Sequence, residues 1–182
     1  MTERRKIVFL PGLLCDASVF AAQITSLSAH ADIRVADFSK QDSIEAMADE
    51  ALSHFDGKVT LIGFSMGGRV ALEAIRRAPD RVEALCLMDT GAAPAREGEA
   101  APRRALVELA RRHGMKALAA QWLPPMLHIE READPILLEP LMAMVERGSV
   151  EQHERQIPAD SKSAGRAICS QGFASNRAPW KK

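Results

Sequence analysis

The stretch LIGFSMGGRVALEAIRRAPDRV, residues 61–82, changes its pattern at a single serine, Ser65. The residues before it are apolar or β-branched, as in a buried strand, and the residues from Met66 onward favour a helix. Residues 63–67 read GFSMG, so a glycine stands two positions to each side of the serine. This arrangement predicts a sharp strand-to-helix turn with the hydroxyl of Ser65 at its corner.

The two flanking glycines have a steric role in such a turn. Any side chain at Gly63 or Gly67 would collide across the turn, while Ser65 itself would lie in strained backbone geometry. The Met66 N–H would then stand at a helix N-terminus, facing the place where an oxyanion forms when a serine attacks a carbonyl. A glycine-rich turn that only packs helix on strand is the alternative, but the strand-helix context favours Ser65 as a nucleophile.

Strand and helix patterns alternate through the first half of the chain. Strands are predicted at residues 6–10, 32–38, 58–62 and 82–88. Between them, helices are predicted from a cap at Asp16, from a capping box formed by Asp42 and Glu45, and at residues 66–77. This alternation is typical of the α/β class, with a parallel sheet, right-handed crossovers and helices on both faces.

The pattern changes after Asp89. A stretch of small and polar residues leads into three predicted helices at 103–113, 116–123 and 136–147, which fit either a helical cap with an apolar underside or plain helical packing. From Pro158 the chain has no amphipathic period. The predicted division is a core at residues 1–93, a helical cap at 94–150 and an irregular tail at 151–182.

Composition narrows the range of functions. The 182 residues contain 24 Lys and Arg against 24 Asp and Glu, so no overall field attracts nucleic acid or an anionic membrane. No apolar stretch approaches the length needed to span a bilayer. The three cysteines, Cys15, Cys86 and Cys169, lack metal-ligand spacing, so we expect no metal, no cofactor and reduced thiols in a cytoplasmic protein.

Three segments carry a family resemblance: VFLPGLLCDASVF at 8–20, VTLIGFSMGGRVALEAIRRAPDRV at 59–82 and LCLMDTGAAP at 85–94. Together they resemble the N-terminal half of the α/β-hydrolase superfamily, and most of all its small esterase-like members with a helical cap. The family usually has His-Gly after the first strand, where this chain has Pro11-Gly12. The resemblance implies that the Leu13 N–H is the second oxyanion donor beside Met66.

The resemblance also implies catalytic partners for Ser65. In the family, an acid and a Gly-His loop follow the cap, whereas nothing after Ile157 resembles the strands that carry them. We therefore expect the chain to lack this C-terminal part. The sheet would then be incomplete and residues 82–88 would form an unpaired edge. Such an edge, with apolar Leu85, Leu87 and Met88, predicts self-association.

The sequence leaves several other residues as candidates for the acid and the base that would assist Ser65. Asp89 follows the fourth strand, where some lipases place their acid. A base could come from the cap, through His113 or His128, or from His153 after it. His30 and His54 are expected at the far edge of the sheet, away from Ser65.

Two functions are consistent with these residues. The first is a hydrolase in which Ser65 attacks small-molecule carboxylic esters or thioesters while Leu13 and Met66 hold the oxyanion. The second is a truncated form or pseudoenzyme without efficient catalysis that binds a ligand or partner. The abrupt compositional change near Pro158 favours truncation or out-of-frame translation.

Overall fold

A computed structural model describes residues 4–91 and 98–162, with side chains described up to residue 160. Its sheet has four strands: β1 (Arg5–Leu10), β2 (Ala31–Val35), β3 (Val59–Phe64) and β4 (Val82–Met88). The strand order is β2-β1-β3-β4, and every neighbouring pair is parallel. The predicted α/β class and parallel sheet are confirmed.

Six helices accompany the sheet. Three connect its strands: α1 (Ala21–Leu27), α2 (Ile44–Ser53) and α3 (Met66–Arg77). Three follow it: α4 (Ala100–Trp122), α5 (Pro135–Arg147) and α6 (Val150–Lys162). Across the described part of the chain, no helix is both long enough and apolar enough to cross a membrane.

The central strand β1 divides the core into two sides. Val8 and Leu10 face one side and belong to the cluster that includes α2 and α3 residues. Ile7 and Phe9 face the other side, where the Phe9 ring lies 4.6 Å from the Phe20 ring. Because both faces are covered, β1 is an unbroken apolar run rather than an alternating one.

Two predicted boundaries need correction. Strand β2 ends at Val35 rather than at residue 38, although the Ala36 N–H still donates to the Phe9 carbonyl. The cap of α2 is Ser43, whose hydroxyl accepts the Ala46 N–H at 3.3 Å, and not Asp42. Ser43 has the extended backbone of an N-cap and directly precedes the first helical residue, whereas Asp42 lies one position too early.

The helices after β4 lie close to the predicted ranges, except that the first of them begins earlier. Helix α4 begins at Ala100, three residues before the predicted start. Gly114 interrupts it with φ of 81°, which a glycine adopts readily. The predicted linker falls partly on residues 92–97, which lie outside the described residues. An apolar cluster joins α4 and α5 to Leu14, so these helices do pack over the loop after β1.

Helix α6 corrects the prediction of an irregular tail at 151–182. Residues 150–162 are helical, while residues 163–182 lie outside the described part. Five of its described residues are buried, and three of them are polar: His153, Gln156, Ile157, Ala159 and Asp160. Apolar periodicity cannot reveal such a helix, because the face that it buries is largely polar.

His153 is the first buried residue of α6. Its side chain is 1% exposed, and neither ring nitrogen has a hydrogen-bond partner among the described residues. Burial lowers the pKa of His153 to about 4, against the opposing effect of the Glu154 carboxylate. The imidazole is therefore neutral at pH 7.

Strand β4 is an edge of the sheet within residues 4–91 and 98–162. Each of its residues is either half-buried or exposed, without strict alternation, and Leu87 is 43% exposed. An apolar edge with free backbone groups can pair with another strand.

We predict that the chain self-associates through β4. Replacing Leu87 with Lys places a charge on this edge and should shift sedimentation towards the monomer. Ile136→Lys is the control, since Ile136 is 85% exposed but lies on α5. A wild-type chain that sediments as a monomer at all concentrations would contradict the prediction.

We also predict that His153 couples folding stability to pH. The unfolded imidazole has a pKa of about 6.5 and the folded one about 4, so the unfolded chain binds this proton more readily. Stability should therefore be lost as pH falls from about 6.5 towards 4, and His153 should account for about 2 kcal/mol of the loss by about pH 5.

Urea denaturation of the wild type and His153→Leu at pH 7 and pH 5 measures this coupling. The variant should lose about 2 kcal/mol less than the wild type between the two pH values. His30→Leu serves as the matched control, because His30 is exposed. Equal losses in the wild type and His153→Leu would show that His153 does not carry the effect.

Candidate active site

Ser65 stands at the junction of β3 and α3 with an unusual backbone. Its φ is 53° and its ψ is −117°, outside the regions that non-glycine residues favour. Such a conformation costs of order 1–3 kcal/mol, so neighbouring contacts must hold it. The side chain is half-buried and makes no hydrogen bond to cap α3.

Close backbone approach explains the glycines on either side. A Cβ at Gly63 would lie 2.5 Å from the Gly67 carbonyl oxygen. A Cβ at Gly67 would overlap the carbonyl oxygen of Leu10, at the end of β1. Both positions therefore require glycine. The predicted collision across the turn explains Gly63, whereas Gly67 is restricted by the end of β1 instead.

Hydrogen bonds from two sides hold the Ser65 backbone. Its N–H donates to the Met88 carbonyl at 3.0 Å, which extends the pairing of β3 with β4. Its own carbonyl accepts the Gly68 N–H at 3.0 Å and the Thr90 hydroxyl at 2.7 Å. The role of Thr90 was not predicted, because nothing in the local sequence distinguishes it from any other polar residue after a strand.

The loop after β1 passes directly beside the serine. A Cβ at Gly12 would lie 3.3 Å from the Ser65 Cβ and 3.2 Å from the Phe64 ring. Leu13 follows and packs against both the core and the cluster of α4 and α5. Met66, 2% exposed, is the first residue of α3. The predicted oxyanion residues Leu13 and Met66 thus belong to the two segments that flank Ser65.

The predicted substitute partners lie in different environments. Within residues 4–91 and 98–160, no hydrogen bond joins a histidine or carboxylate to the Ser65 side chain. His30, His113, His128 and Asp89 are exposed, and His54 pairs with Glu50 at 2.9 Å. His153 is buried, as described above. The structure therefore assigns no described residue as base or acid.

Charged side chains join α3, the helix that begins directly after Ser65, to α4 and α6. Asp160 on α6 accepts a hydrogen bond from the Arg103 Nη1 of α4 at 2.7 Å. The Arg69 Nη1, one turn after Ser65, donates to the Asp160 carbonyl at 2.8 Å, and the Arg69 Nε lies 3.6 Å from the Asp160 carboxylate. These contacts hold α3, α4 and α6 together on one side of the site.

The described cysteine and carboxylate groups do not form a metal site. Among the described residues, no group of three or more His, Cys, Asp or Glu side chains could hold a metal ion. Burial raises the pKa of Cys15, in the loop after β1, to about 12, so this thiol stays protonated. Cys86 is exposed on β4.

Segments of this chain are similar in sequence to known proteins. A segment of the chain is 40% identical over 81 residues to the pimeloyl-[acyl-carrier protein] methyl ester esterase of Neisseria meningitidis serogroup C, covering 42% of this chain and 30% of that protein. The same enzyme from serogroup A is 41% identical over 61 residues, 34% of this chain and 19% of that protein. The chain thus matches less than a third of these curated relatives.

Solved structures share the fold over most of the chain. A thermophilic esterase from Thermogutta terrifontis superposes with a TM-score of 0.77 at 24% identity, covering 91% of this chain and 66% of the other. The enol-lactonase from Burkholderia xenovorans LB400 gives a TM-score of 0.76 at 24% identity, with 88% and 66% covered.

The family assignment rests on a match to a family model. The model of the alpha/beta hydrolase fold family matches residues 7–115, from β1 through the first part of α4. This range includes the sheet except for the first two residues of β1, together with the loop after β1 and the Ser65 turn. Because the match extends over more than half of the 182 residues, the chain belongs to the α/β-hydrolase fold family.

Proposed function

We propose that this chain supplies the nucleophile and oxyanion hole of a serine hydrolase that acts on carboxylic esters or thioesters. The observation that carries the proposal is the backbone of Ser65, with φ of 53° and ψ of −117° at the corner between β3 and α3. A protein tolerates this strain where a side chain must be presented to a substrate.

The chemistry follows from the groups around Ser65. The Ser65 Oγ adds to the carbonyl carbon, and the carbonyl oxygen becomes an oxyanion held by the Leu13 and Met66 N–H groups. Collapse expels the alkoxide or thiolate, which takes up the proton that the Ser65 hydroxyl has lost, and Ser65 remains as an acyl-serine. Water then hydrolyses the acyl-serine and releases the acid. The N-terminus of α3 adds favourable potential at the oxyanion.

The apolar residues near Leu13 favour a substrate with a small apolar acyl group. Leu13 lies between the core and the apolar cluster of α4 and α5, which also contains Trp122, Leu138 and Met142. The curated relatives are named as methyl ester esterases, and this supports an ester as the substrate class. Because Cys15 and Cys86 are free thiols rather than disulfide partners, they favour a cytoplasmic location.

A second function, ligand binding without efficient catalysis, is favoured by one observation. Within the described residues, no base or acid is hydrogen-bonded to Ser65. A site that keeps its oxyanion donors but has no base can still bind an ester or a carboxylate. Residual rate enhancement without a complete triad is of order 10³ to 10⁴ over water.

We predict that an alkyl fluorophosphonate modifies Ser65. The Oγ attacks phosphorus, fluoride leaves, and intact-mass and peptide mass spectrometry should locate one phosphonyl group on this residue. Ser65→Ala should remove the adduct, whereas Ser53→Ala, an exposed serine on α2, should not. The nucleophile assignment fails if the wild type remains unmodified or is modified elsewhere.

Turnover of p-nitrophenyl acetate by the 182-residue chain should be slow. General-base assistance contributes roughly 10² to 10⁴ to such reactions, and no described residue supplies it to Ser65. Rapid turnover that Ser65→Ala abolishes would contradict this expectation and show that a base reaches the site. His128→Ala, His113→Ala and His153→Ala would then identify that base.

A further inference from the structure

Helix α6 contacts the loop that carries Leu13 through one buried amide. The Gln156 side chain is 1% exposed. Its Oε1 accepts the Leu14 N–H at 2.9 Å, and its Nε2 donates to the Phe38 carbonyl at 3.0 Å. One side chain therefore joins the loop after β1 to the segment after β2, and both of its polar ends are satisfied.

The Leu14 backbone needs such support. Residues 12–15 form a turn closed by the Cys15 N–H and the Gly12 carbonyl at 3.1 Å. Leu14, the third residue of this turn, has a φ of 55°, where turns normally place glycine or asparagine. A leucine there is strained, and its buried N–H would lack a partner without Gln156.

The position of the Leu14 N–H also affects the orientation of the neighbouring oxyanion donor, the Leu13 N–H. Peptide planarity makes the Leu13 carbonyl and the Leu14 N–H move as one unit, and this unit is bonded to Leu13. Because a hydrogen bond from the Cys15 N–H to the Gly12 carbonyl closes this turn, rotation of that peptide requires a compensating change in the Leu13 φ angle. That change turns the preceding peptide, which carries the Leu13 N–H. Fixing the Leu14 N–H therefore restrains the donor that Ser65 requires.

We infer that Gln156 is a positioning residue for the oxyanion hole, acting from α6 through the Leu14 N–H on the direction of the Leu13 N–H. This inference rests on the proposed function of Ser65 and Leu13. The amide fits the role because it needs one orientation: its oxygen must meet an N–H and its nitrogen must meet a carbonyl.

Arg155, the residue before Gln156, allows a positioning role to be distinguished from simple attachment of α6. The Arg155 Nη2 donates to the Ser39 carbonyl at 2.6 Å, so Arg155 also ties α6 to the segment after β2. It makes no described contact with the loop after β1. Loss of either side chain weakens the attachment of α6, but only loss of Gln156 frees the Leu14 N–H.

The rate of Ser65 modification by the alkyl fluorophosphonate tests the inference. Gln156→Leu should lower the maximal modification rate roughly ten- to hundredfold, a fraction of the loss known for removing an oxyanion donor, with little change in the probe's half-saturating concentration. Arg155→Met should leave the rate within about twofold of the wild type. Equal rates in all three proteins, or equal losses in both variants, would overturn the inference.

Gln156→Glu supplies a conservative rescue and a second route if Gln156→Leu fails to fold. A protonated glutamic acid can accept the Leu14 N–H and donate to the Phe38 carbonyl, whereas its carboxylate cannot donate. The ratio of the Gln156→Glu rate to the wild-type rate should therefore rise as pH falls from 8 to 6. A ratio independent of pH would contradict the inference.

Amide hydrogen exchange distinguishes the two ways in which the inference can fail. Exchange at Leu14, followed by NMR, should accelerate at least tenfold in Gln156→Leu and stay unchanged in Arg155→Met. If the wild type is not modified at Ser65, the proposed function fails and the positioning role fails with it. If Ser65 reacts normally in a Gln156→Leu protein whose Leu14 amide exchanges faster, only the positioning role is wrong.

Discussion

The contact between the end of β1 and the start of α3 determines the geometry of this protein's candidate site. Gly67 lies so close to the Leu10 carbonyl that no other residue fits there. This approach brings α3 against the central strand and leaves Ser65 at the corner with a positive φ. The same approach places the loop after β1 beside the serine, so that one packing constraint brings together both halves of the proposed oxyanion hole.

The helices after the sheet are attached to this core in two different ways. An apolar cluster joins α4 and α5 to Leu14, whereas α6 makes polar contacts through Arg155, Gln156 and Asp160. Polar contacts depend on direction more strongly than apolar packing does, because a misplaced buried donor or acceptor loses its partner. Helix α6 therefore restricts where the loop backbone can lie, and α4 with α5 mainly cover it.

Burial keeps two titratable side chains of this protein uncharged. Cys15 is protonated because burial raises its pKa to about 12, and His153 is neutral because burial lowers its pKa to about 4. Met66, which would supply one oxyanion donor, is buried, and Leu13, which would supply the other, is half-buried. Backbone donors act more strongly on a developing oxyanion in such surroundings than they do in water.

The sequence by itself determined the sheet, the position of the serine and its two glycines, since each depends on local chemistry. Apolar runs mark β1, β3 and β4, and a glycine two residues to each side of Ser65 marks the turn. The contact of Gly67 with Leu10, by contrast, forms only when β1 and α3 meet. Tertiary structure decided the contributions of Thr90, Gln156 and α6. Thr90 and Gln156 act through hydrogen bonds to residues 25 and 142 positions away, and the buried face of α6 is mostly polar. No local periodicity encodes such contacts, because their partners meet only after the chain has folded.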